Sequence, residues 1–349
     1  MDFSHSPEHH EIRTLADEIF GAQLSEDRLW DELRRAGLVT LTLPDSCGGG
    51  GLGLLDASAV LIEAGRHAAP IPVFAHLAAS TVLARYGTAQ QCRRPGILAP
   101  AITDARGQIR DMAVTASDSG YRLNGVSALV PAGMVADAFL VPAQTDTGAA
   151  VFLVAATDDG VTRREQRVSG GYRLAQLELA NVDIGTESRV GPADGSVAAF
   201  LKQVSIAAVC AQQFGVTSEA VIRTAAYAGT RKQFGRPIGS FQAVAHRLAD
   251  GYLDVLGQEL TLWKALSHLD HGVPAPAAVA AAKFWACEAG HRVAHSAIHI
   301  HGGVGVDLSG DIHRYYSMAK YLEFTYGSAH QHATDIGQLM GSPSFFEVR

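Results

Sequence analysis

Residues 228–250 read AGTRKQFGRPIGSFQAVAHRLAD. The stretch ends one helix and begins another. Gly235 and Pro237 interrupt a helical run, and Phe241, Val244, Ala245 and Leu248 then return at three- and four-residue spacing. Between the two helices Arg231, Lys232 and Arg236 form a local cationic cluster, enough to hold one pyrophosphate.

Working outward, helical periodicity dominates from about Ser196 onward. Leu201, Val204, Ala208, Ala211 and Gly215 form one stripe, whose small residues let helices approach closely. Phe241, Val244, Ala245, Leu248, Tyr252 and Val255 form a second, and Ala277, Ala280, Phe284, Cys287, His291, Ala294 and Ile298 a third. Joined by turns such as residues 271–276, these stripes predict an up-and-down helical bundle over residues 191–349. From about Gly96 to Gly185 the period is two, which predicts a small antiparallel barrel or sandwich spanning residues 96–190. Its strands include residues 138–143, 149–156 and 174–182, with a hairpin turn at Asn124-Gly125. Neither Gly-x-Gly-x-x-Gly nor strand–helix alternation is present, which excludes a Rossmann unit. Residues 1–95 read as helical again: Ser25 caps a helix that buries Leu29, Trp30 and Leu33, and Asp56 caps another. The glycine loop before Asp56 lacks a Gly-Lys-Ser/Thr ending and reads as a tight connection, not a phosphate cradle.

The bulk numbers restrict the function. With 349 residues, 47% hydrophobic and 18% charged, the chain has material for two or three packed domains. A net charge of -7 argues against a nucleic-acid or anionic-membrane surface. No uninterrupted apolar run reaches membrane-spanning length, and the N-terminus carries no signal-like core. Cys47, Cys92, Cys210 and Cys287 lack metal or redox spacing and fit reduced thiols in the cytoplasm. His291, His295 and His299 share a helix face, but without an accompanying carboxylate set they read as packed or hydrogen-bonded residues, not a metal site.

In this helix–β–helix order, the Arg231 junction resembles that of the acyl-CoA dehydrogenase family. Three further blocks, in the family's order, carry the resemblance: GLVTLTLPDSCGGGGLGLLDASAVLIEAGR (residues 37–66), YRLNGVSALVPAGMVADAFLVPA (121–143) and IHIHGGVGVDLSGDIHRYYSMAKYLE (298–323). The resemblance implies an α+β fold with an N-terminal helical domain, a middle antiparallel β-domain and a C-terminal four-helix bundle. It also implies FAD as cofactor, an acyl-CoA thioester as substrate and an electron-transfer acceptor. On the same ground Arg231 would pair with the FAD pyrophosphate and Phe234 would pack on the cofactor. Gln242 would hydrogen-bond near the phosphates or ribityl chain, and His299 stands where a cofactor-contacting glutamine is usual. Gly302 and Gly303 would let a neighbouring subunit's FAD lie against the backbone.

Other positions depart from the family. Its Thr-Glu-Pro-x-x-Gly-Ser-Asp segment, which touches the flavin ring, is replaced by TDARGQIRD at residues 103–111, and its aromatic-Ile pair by Leu129-Val130. The usual base, Glu in a Tyr-Glu-Gly-Thr segment, is replaced by Tyr326. The alternative base position, on the helix entering the C-terminal domain, holds Lys202. An unperturbed tyrosine has a pKa of about 10, so ionising it at neutral pH costs about 4 kcal/mol before chemistry starts. No convincing catalytic residue is therefore expected; Glu323 and Asp307 read as a solvated helix acid and a turn or cap residue. The expectation is the non-base subunit of a flavin-dependent enzyme that desaturates a bulky, steroid-like acyl-CoA. The chain would pair with a longer acyl-CoA dehydrogenase, or with itself as a dimer or tetramer. The rival readings are a self-sufficient flavoprotein oxidase or monooxygenase and a flavin-free structural partner.

Overall fold

The computed structural model describes residues 6–22, 24–94, 96–104, 106–117, 120–146, 148–168 and 172–341. The chain packs as two units, residues 6–60 with 70–208, and residues 61–69 with 209–341.

The first unit opens with helices α1 (Pro7–Gly21), α2 (Glu26–Arg35), the start of α3 (Leu54–Arg66), α4 (Val73–Tyr86) and α5 (Ala89–Cys92). Leu29 and Leu33 of α2 are buried, and Ser25 stands at its N-cap without a side-chain cap bond. Asp56 does not cap α3: it lies inside the first turn and accepts a hydrogen bond from the Ser6 hydroxyl at 2.8 Å. From Val73 to Leu83, α4 is buried at every position, so it is hydrophobic all round and not amphipathic.

The sheet follows: β1 (Leu98–Pro100), β2 (Met112–Ser117), β3 (Gly120–Val130), β4 (Ala138–Thr145), β5 (Gly148–Ala155), β6 (Val161–Gln166), β7 (Leu174–Gly185) and β8 (Arg189–Val190). Its order is β6-β7-β3-β2-β4-β5-β8, with β1 also on β4. Most pairings are antiparallel, but β1 and β2 each join β4 in parallel, a mixture that periodicity alone cannot reveal. Asn124-Gly125 is not a hairpin turn. β3 runs straight through it with a register shift against β7, and the β2–β3 hairpin closes earlier, where Ser117 pairs with Gly120. The Asn124 side chain accepts from the Asn181 amide at 2.9 Å, so the dipeptide that resembled a turn stitches a bulge.

His76, on α4, is a buried polar ring of this unit. Its Nδ1 accepts from the Leu98 amide of β1 at 3.1 Å, Trp30 meets its ring edge-on at 5.2 Å, and Ser80 lies 3.3 Å from Nε2.

The second unit contains residues 61–66 of α3 and the later part of α6 (Ser196–Thr230). The hairpin β9 (Lys232–Gln233) and β10 (Arg236–Pro237) follows, then α7 (Gln242–Asp270), α8 (Pro276–His301), α9 (Ile312–Phe324) and α10 (Ala329–Met340). Helix α8 is central, with α7, α9 and α10 packed on it. Among the described helices only α6 is long and apolar enough to cross a membrane, yet 78% of that apolar window is buried inside the protein, as in a core helix. Helices α3 and α6 meet backbone to backbone. A Cβ on Gly215 would fall 2.0 Å from the Ile62 carbonyl oxygen, and one on Gly65 would fall 2.1 Å from that of Gln212. This contact explains why helix interiors retain residues costing about 1 kcal/mol relative to alanine. The fully buried Lys283 donates to the carbonyls of Leu322 (2.7 Å) and Glu323 (3.2 Å), placing a cation at the negative end of α9.

Two stripes differ from expectation. The third stripe is rotated on α8: Ala286, Cys287, Gly290, Val293, Ala294 and Ala297 are buried, while His291 is exposed. The second stripe is not core. From Gln242 to Asp250 no residue of α7 is buried, and Tyr252 and Leu253 are exposed; burial begins only with Gly251 and Asp254. Apolar spacing identifies a face to be covered, not which chain covers it.

Two outcomes follow from these contacts. Gly215→Ala should lower the unfolding free energy by about 3 kcal/mol in chemical denaturation, since backbone cannot yield to the added methyl. His76 is held at a pKa of about 4 by burial, below the ordinary value, against opposing help from the Val39 carbonyl and Asp137. The unfolded chain therefore takes up this proton first. Stability is full above about pH 6.5 and falls by roughly 3 kcal/mol as pH drops through about 4. His76→Gln should flatten that segment of the stability–pH profile relative to the parent chain.

Candidate functional site

The junction at residue 231 is a two-residue hairpin on the end of α6. The Arg231 amide donates to Tyr227 O at 2.8 Å, and Ile238 N–H returns to Arg231 O at 2.8 Å. Gln233 pairs with Arg236 and Lys232 with Pro237, leaving Phe234 (φ 52°) and Gly235 (φ 80°) as the turn. Two positive φ angles match the right-handed twist of a tight hairpin, but for a phenylalanine this conformation costs about 1–2 kcal/mol. Phe234 is also 93% exposed. Its ring meets only the edge of Phe241 at 6.2 Å, while Arg236 lies 4.2 Å over the Phe241 ring. An aromatic that is both strained and solvated gains nothing from this chain's own folding.

Beside the hairpin lies a groove of about 370 Å³ lined by Phe234, Phe241, Val244, Arg247, His299 and Ile300, among others. It joins the hairpin and the first turns of α7 to the last turn of α8. Gln242, the first residue of α7, is exposed next to it. Arg231, Lys232, Arg236 and Arg247 have no carboxylate partner among the described residues, so an acidic chain leaves four cations unopposed here. His299 faces the groove, while His301 stacks on Tyr227 at 4.2 Å with its Nδ1 2.8 Å from Ala297 O. Helix α8 then ends at Gly302, whose φ of 64° and ψ of -140° suit only glycine. Gly303 has no such backbone demand, and a Cβ on either glycine would meet open space.

The positions where a base would be sought are closed. Tyr326 has φ 60° and is 3% exposed, and its hydroxyl has no hydrogen-bond partner among the described residues. Burial, with the Tyr321 phenol beside it, pushes its pKa well above the ordinary value, so the ring stays neutral. Its carbonyl accepts from His332 Nε2 at 2.9 Å, and burial holds His332 below its usual pKa. Lys202, in the first unit, is paired with Asp111 at 2.7 Å, and Asp111 also accepts from the Gln144 amide at 2.7 Å. Glu323 is not a solvated helix acid: it is buried against Lys320 (2.6 Å) and His291 (3.2 Å). Asp307 is an exposed turn residue accepting from Ser309 N–H at 2.9 Å.

The segment from Thr103 to Asp111, described except for Ala105, folds on itself. Asp104 Oδ1 accepts from the amides of Arg106 (2.8 Å) and Gln108 (3.0 Å), and Thr103 bridges to Ile109. The buried Thr103 hydroxyl is used internally, against Ala128 O and Ser127 Oγ. Leu129, at φ 54°, sits on a bulge with its amide held by Gln166 at 2.6 Å.

Family models for the N-terminal and C-terminal domains of acyl-CoA dehydrogenase match residues 6–98 and 203–341. The chain is 43% identical to acyl-CoA dehydrogenase FadE27 of Mycobacterium tuberculosis, over 90% of this chain and 88% of that one. It belongs to the acyl-CoA dehydrogenase family. Among solved structures it resembles one chain of the ChsE4–ChsE5 complex of Mycobacterium tuberculosis, with 40% identity and a TM-score of 0.92 over 98% of this chain and 99% of that one. A second likeness is the Tcur3481–Tcur3483 steroid acyl-CoA dehydrogenase G363A variant, with 33% identity and a TM-score of 0.88 over 96% and 98%.

Members of this family bind FAD. The exposed residues of this acyl-CoA dehydrogenase chain suit such a ligand: unopposed guanidiniums for a diphosphate, a free aromatic for a ring and bare glycine backbone for close approach. Sequence reasoning missed Arg247, although it follows Ala243 by four residues and so shares its helical face. It also missed Asp111 as the partner of Lys202, because a pairing between the residue before β2 and a helix far along the chain leaves no local spacing. Tyr326→Phe removes a buried hydroxyl that bonds nothing. It should leave unfolding free energy unchanged or raise it by up to about 1 kcal/mol, measured by denaturant titration. The pH–activity profile of the assembled enzyme should not move; a lost limb would make the phenol an acid or base.

Proposed function

We propose that this chain is the subunit without a base in a flavin-dependent acyl-CoA dehydrogenase of hetero-oligomeric type, partnered by a longer chain of the same family that carries the glutamate. The observation behind this reading is a division of labour. The residues suited to hold FAD face solvent around the hairpin, while Tyr326 and Lys202 occupy both usual base positions with no free carboxylate. The similar ChsE4–ChsE5 and Tcur3481–Tcur3483 structures each join two proteins, which supports the partner, and the second is a steroid acyl-CoA dehydrogenase, which supports a bulky, steroid side-chain acyl-CoA as the substrate class.

In this reading, FAD held across the interface would supply the acceptor for the hydride from the β-carbon of the thioester and the link to an external electron acceptor. The residues of this chain bind and orient. Arg231 pairs with the pyrophosphate through its planar fork, and Phe234 packs on the cofactor, which repays the exposure and strain of its turn. Gln242 and His299 supply hydrogen-bonding groups at the groove, and Gly302 and Gly303 let the cofactor lie on backbone. The exposed face of α7 is covered by the partner, which excludes water from the site. The α-proton goes to the partner's carboxylate, because ionising Tyr326 would cost about 4 kcal/mol even before burial is added. A cytoplasmic location, suggested by four free thiols, belongs to the same proposal.

Co-expression with a longer acyl-CoA dehydrogenase chain from the same source tests this. The mixture should show FAD content and acyl-CoA turnover above those of either chain alone. Arg231→Ala should weaken FAD binding by the complex about 10- to 100-fold, in line with losing a charged hydrogen bond. Equal flavin content with and without the partner would contradict the reading, and unchanged affinity in the variant would remove Arg231 from the site.

A further inference from the structure

Away from the groove, the first unit holds a cavity of about 450 Å³ whose lining includes Trp30, His76, Arg93 and two thiols, Cys47 and Cys92. Cys47 ends the short 3-10 turn Asp45–Cys47, and Cys92 ends the four-residue helix α5. The sequence scatters these cysteines; the fold places them on facing elements. Cys47 Sγ lies 4.0 Å from the carbonyl of Ala89, one turn before Cys92 on α5. Their chain neighbours are bonded to each other: Arg93 donates through Nε (3.2 Å) and Nη2 (2.7 Å) to Ser46 O. That clamp fixes the turn against α5, where the Cys92 thiol donates to Leu83 O at 3.2 Å. Neither thiol sits in a long helix or in the sheet, and both line the same cavity, so movement of the turn that ends in Gly48 at φ 78° is the route that brings the sulfurs together.

We propose that Cys47 and Cys92 are a redox pair that hydrogen peroxide converts reversibly into an intramolecular disulfide. The two thiols differ in a way that orders the steps. Cys47 is partly exposed and Cys92 is buried, with its pKa pushed up to about 11 by burial and by Cys47 beside it. The Cys47 sulfur attacks one peroxide oxygen, the O–O bond breaks, and the departing hydroxide leaves as water with the thiol proton. The resulting sulfenic acid is attacked by the Cys92 sulfur, the S–O bond breaks, and a second water leaves with the Cys92 proton. Two thiols and one peroxide thus give one disulfide and two waters, with two electrons passing from sulfur to peroxide. Cys210 and Cys287, both buried in the second unit, serve as the internal control; Cys287 Sγ lies 3.1 Å from Glu323 O.

The test is to treat the reduced, full-length chain under native conditions with an equivalent of hydrogen peroxide, quench in acid, alkylate and map peptides by mass. The expected result is a loss of about 2 Da from the intact chain, a linked peptide containing Cys47 and Cys92, and full reversal by dithiothreitol. Cys210 and Cys287 should be alkylated only after unfolding. Cys92→Ser should abolish the loss and leave Cys47 as a sulfenic acid that dimedone traps. The proposal is overturned if the parent chain oxidises Cys47 to sulfinic acid while Cys92 stays a free thiol. Absence of any reaction at Cys47, or a disulfide joining other cysteines, overturns it equally.

Discussion

Four cations around one hairpin, with no carboxylate to answer them, set the central constraint on this structure. Several buried or half-buried cations elsewhere are met by carboxylates: Arg66 by Glu63 and Glu219, Arg292 by Asp254 and Glu288, Lys202 by Asp111. Arg231, Lys232, Arg236 and Arg247 are not, in a protein whose net charge is -7. Like charges held close repel, so the arrangement is favourable only when an anion from outside the chain arrives. Phe234 adds a second unmet demand, because its strain and exposure are offset only by a contact this chain does not contain.

The remainder of the second unit presents that surface rigidly. The Gly65–Gly215 crossing locks α3 to α6, whose end carries the hairpin, and the buried Lys283 ties α8 to the end of α9. Helix α8, central in the unit, ends in Gly302 beside the groove. The segment just beyond α9 turns Tyr326 inward, where a catalytic group would have to face substrate. What is missing for chemistry and what is ready for binding are therefore both consequences of the same packing.

Much of this was legible in the sequence. The helix–strand–helix order and the four family blocks carried the fold, and the Arg231 junction pointed to the surface proposed here to hold FAD. The failures have physical reasons. Asn124-Gly125 suits a two-residue turn and a bulge alike, because both exploit the conformational freedom of glycine; only pairing with β7 distinguishes them. The stripe from Phe241 to Val255 was read as core, since an apolar period is the same whether its own chain or another covers it. Glu323 looked solvated because the α8 helix that brings His291 to it approaches in a way no local spacing encodes; Lys320, three residues earlier on α9, is its local partner.

The central claim is that this chain contributes the across-interface half of a flavin site and keeps no complete site of its own. It is tested most directly by the flavin stoichiometry of the purified complex with the longer chain, from flavin absorbance and quantitative amino-acid analysis. The account predicts one FAD for each pair of unlike chains. Two FAD per pair, or a full equivalent bound tightly by this chain alone, would contradict it.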